Sequence, residues 1–169
     1  MTKSIVTGRY VPAGPWAATK VQSQVQHLKG SFRRGERREE RLLFDPAGAG
    51  LDQAAARAVL LAALGPRVAF HRLILSPPPQ HQLGNSALLQ GWTRAVLADL
   101  ARALGQDLIW VAAVHTNTAH PHIHVLIAGS ARRSRPPAVG TRTSVELRRG
   151  HYALIAARAD ARAAQITMA

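Results

Sequence analysis

Apolar and polar positions follow several distinct rhythms along this chain, and each rhythm predicts an element. The clearest is residues 85–104, where Leu89, Trp92, Val96, Leu100 and Leu104 recur at three- and four-residue spacing. That spacing predicts a helix, with Asn85 or Ser86 placed to cap its start. Residues 16–29, WAATKVQSQVQHLK, predict a second helix that Gly30 ends. Residues 51–64 predict a third, with Asp52 near its start and Gly65-Pro66 as its stop. The run VAFHRLILS, residues 68–76, is closed by three prolines and predicts a strand. DLIWVAAVH and HIHVLIAG, residues 107–115 and 122–129, predict two buried strands with a hairpin-length link.

The other stretches carry weaker signals. Residues 1–15 read as irregular, and SFRRGERREER as a charged loop before the short apolar run RLLF. SARRSRPPAVGTRTS, residues 130–144, reads as a basic loop. VELRRGHYALIAARADARAAQ, residues 145–165, reads as a closing helix that Gly150 could split. Together these predict an α+β fold: a central antiparallel β-sheet with helices packed mainly on one face. The length, 169 residues, suits one domain, residues 1–169, which could be the N-terminal part of a longer protein.

Charge changes the picture. Lys and Arg number 22 against 9 Asp and Glu, a formal net charge of +13. Alanine-rich composition points to codon bias as one source of arginine, but the scarcity of acids favours a polyanionic partner, nucleic acid. No apolar run is long enough to span a membrane, no secretory signal opens the chain, and cysteine is absent. A cytoplasmic protein is the expectation.

Candidate chemistry is concentrated in HTNTAHPHIH, residues 115–124, which holds four of the eight histidines. Residues two apart on a strand share a face, so His122 and His124 project together while Ile123 and Val125 face the other way. His115 ends the preceding strand, and a hairpin would bring its ring to the same place. Three imidazoles converging from a sheet form a partial cage for a divalent metal with positions left open. Ordinary core packing accounts poorly for two polar rings in an apolar strand. The helical His-Glu-x-x-His pattern is absent, and the next acid after His124 is Glu146. His120 reads as a loop residue.

His115-x-Asn117-x-x-x-Pro121-His122-Ile123-His124 resembles the His-hydrophobic-His motif of the relaxases, or mobilisation nucleases, within the HUH endonucleases. The resemblance extends over roughly residues 21–165 and is strongest between His71 and Gly129. It implies a site-specific single-strand endonuclease and strand transferase, nicking at a plasmid or integrative-element transfer origin during conjugation. It also implies a covalent 5′-phosphate adduct and one divalent ion, Mn²⁺ or Mg²⁺. The partner would be single-stranded or hairpin DNA, with accessory relaxosome and secretion-coupling proteins. A non-catalytic DNA-binding relative, a rolling-circle replication initiator and a metal-dependent hydrolase of another substrate are the alternatives.

The resemblance assigns roles residue by residue. Asn117 stands where many relatives have Asp, and its amide oxygen would orient a ligand histidine. His27 stands on the first helix where the catalytic tyrosine is expected. Imidazole is largely neutral near pH 7 and attacks without first losing a proton, so histidine is a workable nucleophile. Tyr152 is the alternative nucleophile, and Tyr10 lies in a Pro/Gly-rich arm. Arg33, Arg34 and Arg37, with Arg132, Arg133 and Arg135, are the densest basic clusters and the candidate DNA contacts.

Overall fold

A computed structural model describes residues 3–30, 41–81, 83–116 and 118–168. Within these residues nine strands and four α-helices, besides a 3-10 turn at Pro79–His81, follow one another as β1 (Ile5–Pro12), α1 (Ala17–Lys29), β2 (Leu43–Phe44), β3 (Ala49–Leu51), α2 (Gln53–Leu61), β4 (Val68–Ser76), α3 (Ser86–Leu104), β5 (Gln106–Asp107), β6 (Trp110–His115), β7 (His122–Ala128), β8 (Ser130–Arg133), β9 (Arg142–Ser144) and α4 (Arg149–Met168). The main sheet has the order β1-β4-β7-β6-β2-β3, and β5-β8-β9 form a small second sheet. Every strand pair is antiparallel.

The helices start where short polar side chains satisfy their first amides. Asp52 accepts from the Ala55 N–H at 2.7 Å, and Asn85 accepts from the Leu88 N–H at 2.8 Å. Gly105 ends α3 in the left-handed conformation, φ 65°. Both starts follow the sequence pattern, and Gly30 ends α1 as expected, whereas α2 stops at Leu61, short of Gly65-Pro66.

The α+β class and the central antiparallel sheet are as expected. The helices, however, divide two and two between the faces rather than lying mainly on one. Val21, Val25 and Leu28 of α1 and Ala56 and Leu60 of α2 pack on Phe70, Val111, Ala113, Leu126 and Ala128. Trp92, Val96 and Leu100 of α3 and Ile155, Ala159 and Ala163 of α4 pack on Leu73, Trp110, Ala112, Ile123, Val125 and Ile127. The reason is in β6 and β7 themselves. Successive residues point to opposite faces, and both faces of WVAAV and VLIA are apolar, so each must be covered.

Three further stretches differ from expectation. Residues 5–12 form an edge strand, paired to β4 along its length. Its side chains are mostly exposed and it includes Gly8 and Pro12, so no burial rhythm marks it. The basic stretch 130–144 contributes β8 and β9, joined to β5 by Gln106, whose Nε2 donates to Thr143 Oγ1 at 2.6 Å and to the Ser144 carbonyl at 2.9 Å. The last helix begins at Arg149, with Gly150 in its first turn. Val145, expected inside it, is fully buried, and its carbonyl accepts from His71 Nε2–H at 2.8 Å.

Polar ties lock α3 to α4. Trp92 Nε1–H donates to the Ala159 carbonyl at 3.0 Å, and Arg162 and Arg102 both donate to the buried Asp99 carboxylate. The hydrogen bonds from Arg162 lead in holding Asp99 at a pKa of about 2. Gly129 marks the tightest crossing, because a Cβ there would lie 1.7 Å from the Val68 carbonyl oxygen. Gly129→Ala is therefore expected to cost about 3 kcal/mol or more of unfolding free energy in a urea titration. A loss under about 1 kcal/mol would contradict the packing described here.

Candidate metal centre and DNA cleft

The β6–β7 hairpin ends in a register pair, His115 opposite His122, with His124 opposite Ala113 and Ile74. All three imidazoles point to the face covered by α1 and α2. Ring centroids are 4.1 Å apart for His115 and His124, and 5.1 Å for each pair that includes His122. One ligand atom from each histidine lies within 4.8 Å of the other two. Three nitrogens bound to one ion would stand about 3 Å apart, so closure needs only small ring movements.

The protonation states suit metal binding. Burial is the first cause lowering His115, to about 2, followed by the neighbouring His124 and Arg41 charges. Burial followed by the His122 charge lowers His124 to about 4. Both rings are neutral near pH 7 and present a lone pair. His122 Nδ1–H donates to the His120 carbonyl at 3.1 Å, which leaves the His122 Nε2 lone pair for a ligand role. Thr118 Oγ1–H donates to the same carbonyl at 2.7 Å. His115 Nε2 is buried with no hydrogen-bond partner. A buried ring nitrogen left so is costly, and a cation would satisfy it. The donor set fits one divalent ion.

His27 reaches this site from α1. Its ring centroid lies 5.8 Å from that of His124, edge toward face. Burial first, then the charges of Arg72 and Arg41, lower its pKa and favour the neutral ring. Beside it opens a cleft of about 370 Å³ between α1 and the outer strands, lined by Thr7, Arg9, Gln24, Arg72, Ile74 and His124 among others. Arg9, Arg72, Gln24 and the buried Arg41 were not singled out in the sequence. Arg72 had a signal: one charge on the strand between Phe70 and Ile74, both apolar and on its own face.

Other expected residues fall elsewhere. Tyr152 lies on α4, across the sheet from the histidines, with its ring against Gly8, where a Cβ would meet it at 2.3 Å. Burial raises its pKa. Tyr10 is exposed on β1. Arg132 and Arg133 are in β8 and Arg135 just after it, beyond the opposite end of β7 from His122, about 20 Å along the strand. Arg33, Arg34, Arg37 and Asn117 lie outside the described residues.

A two-sided antiparallel sheet whose central hairpin gathers three histidines beneath a helix, beside a cleft lined by arginines, could hold a metal ion next to an anion. The chain matches the model of the relaxase family, MobA/VirD2-like, nuclease domain, over residues 35–131, more than half its length, and it belongs to that family. Membership brings DNA nicking and single-stranded DNA as substrate. No curated protein matches the chain. His27 and Tyr152 both lie outside the matched residues. Among the described residues, no helix is long and apolar enough to cross a membrane.

The lowered histidine values carry a stability consequence. In metal-free protein, His115 and His124 bind fewer protons folded than unfolded between about pH 4 and 6.5, so folding weakens as pH falls through that window. Urea unfolding in chelator should give lower stability at pH 5 than at pH 7, with a smaller difference in His115→Gln. Equal stability at the two values would contradict the assignment of neutral rings.

Proposed function

We propose that this chain is a metal-dependent relaxase that nicks one strand at a plasmid or integrative-element transfer origin and forms a covalent 5′-phosphate adduct during mobilisation. The observation that carries the reading is the convergence of His115, His122, His124 and His27 on one face of the sheet. Residues 1–169 act as one nuclease domain, at work in the cytoplasm on single-stranded or hairpin DNA, with relaxosome and secretion-coupling proteins as partners.

His115, His122 and His124 would hold the ion, with the Asn117 amide orienting one of them. Neutral nitrogen donors favour Mn²⁺ over Mg²⁺. When bound, the cation supplies positive charge to the non-bridging oxygens of the scissile phosphate. The chain's own groups do the rest. The His27 ring nitrogen attacks phosphorus in line with the leaving 3′ oxygen; the P–N bond forms, the P–O bond breaks, and the 3′ oxygen keeps its electron pair and takes a proton from water. Neutral imidazole needs no base for this step, which suits a site with Asn rather than Asp at position 117. Attack by a 3′ hydroxyl on the phosphoramidate, with loss of its proton to water, would reseal the strand.

Tyr152 would need the sheet to open before it reached the same phosphate, so His27 is the nucleophile we assign. Gly30 and Arg41, which bracket the basic segment carrying Arg33, Arg34 and Arg37, adjoin α1 and the histidines, so those arginines are proposed to contact DNA at the site. Arg132, Arg133 and Arg135 are proposed to contact it about 20 Å away.

Two measurements test this reading. His122→Ala and His124→Ala should each abolish Mn²⁺ binding in calorimetry, and unchanged affinity in both would remove the metal assignment. With Mn²⁺ and a labelled origin oligonucleotide, His27→Ala should lower adduct formation by about a thousandfold while Tyr152→Phe retains it. The adduct should be acid-labile, as a phosphoramidate is. An acid-stable adduct that survives His27→Ala and disappears in Tyr152→Phe would exchange the two roles. Intact DNA binding with no adduct in wild type would instead leave a non-catalytic DNA-binding relative.

A further inference from the structure

The register of β1 against β4 sets Arg9 directly opposite Arg72. Opposed residues in an antiparallel pair share a face, with Cβ atoms about 5 Å apart, and like charges so placed weaken the sheet. Among the described residues neither side chain has a hydrogen bond or an ion pair, and no carboxylate lines the cleft they face. Protein contacts therefore do not explain why two cations stand together there. A shared anion does.

The surroundings specify which anion. The pair lies in the same cleft as His27 and His124, on the half of the sheet that α1 leaves uncovered. Thr7 and Gln24 add neutral hydrogen-bonding groups beside it, and Ile74, 36% exposed, offers an apolar surface on the same face. Cationic forks next to an apolar contact match a single nucleic-acid strand, with phosphate on the guanidinium groups and a base against the isoleucine.

We propose that Arg9 and Arg72 jointly clamp one backbone phosphate of the single strand, adjacent to the phosphate that is cut, and seat the strand in the cleft without help from the metal. The identification of the anion as a DNA phosphate rests on the nuclease reading above. Each guanidinium takes one non-bridging oxygen, so removing either arginine releases most of what the pair provides.

The test is fluorescence anisotropy of a labelled mixed-sequence single-stranded oligonucleotide in chelator, across a salt series, for wild type, Arg9→Gln, Arg72→Gln and the double variant. Each single variant should weaken binding roughly tenfold. The slope of log affinity on log salt should become shallower by about 0.7, one phosphate's worth, and the double variant should add little. Melting temperature should stay level or rise in all three variants, because the repulsion between the arginines is relieved; a fold defect would lower it. A wild type that binds no oligonucleotide, or a double variant of unchanged melting temperature that binds with wild-type affinity and slope, would overturn the clamp. Additive losses with about twice the slope change would overturn the single shared phosphate. Plasmid nicking by wild type with Mn²⁺, run in parallel, separates the two readings. Loss of binding in the variants without wild-type nicking supports the clamp and rejects the nuclease; nicking with unaltered variant binding does the reverse.

Discussion

The register between β6 and β7 is the constraint on which the rest of this molecule depends. With His115 opposite His122, three imidazoles share one face and Val114, Ile123 and Val125 share the other. A slip of one residue would exchange the faces of a whole strand. It would drive histidines into the apolar contact with α3 and α4 and turn Ile123 and Val125 toward α1. The packing that stabilises the sheet and the convergence of the imidazoles are therefore the same fact. Neither can change without the other.

Electrostatics follows from that arrangement. His115 and His124 are held in the sheet and stay neutral because burial disfavours their charged forms, while nearby arginines add repulsion. The face that carries them also carries Arg9, Arg41 and Arg72, and among the described residues several acids are engaged elsewhere: Asp99 accepts from Arg162, Asp160 accepts from the Ser4 N–H, and Glu146 pairs with Arg67. The excess positive charge of the chain thus has a local counterpart, a cleft whose arginines favour an anion.

Much of this was legible in the sequence, and the parts that were not share a cause. The helices at 17–29, 53–61 and 86–104 and the strands at 68–76, 110–115 and 122–128 announce themselves through periodicity, the Asp52 and Asn85 caps and the Gly30 stop. His122 and His124 could be placed on one face from their spacing alone. The two-sided covering of the sheet was also present in WVAAV and VLIA, where both faces are apolar. Strand β1 was not legible, because an exposed edge strand owes its form to its partner β4. The same holds for β8 and β9, whose polar residues gain strand geometry from pairing. Arg9 became interesting only once β1 existed, since its meaning comes from the residue across from it. Contacts set by tertiary pairing leave no mark on local pattern.

The contact between Tyr152 and Gly8 has a consequence for anyone mapping this protein by genetics. The tyrosine ring props β1 from beneath, one residue away from Arg9. Removing that ring would leave the outer strand unsupported beside Arg9 and would weaken the proposed clamp on DNA from the opposite face. Loss of activity after a large truncation at this position would then imitate the loss of a nucleophile. An alanine scan would enrol a buttress among the reacting groups, and only a substitution that keeps the ring and discards the hydroxyl tells the two apart.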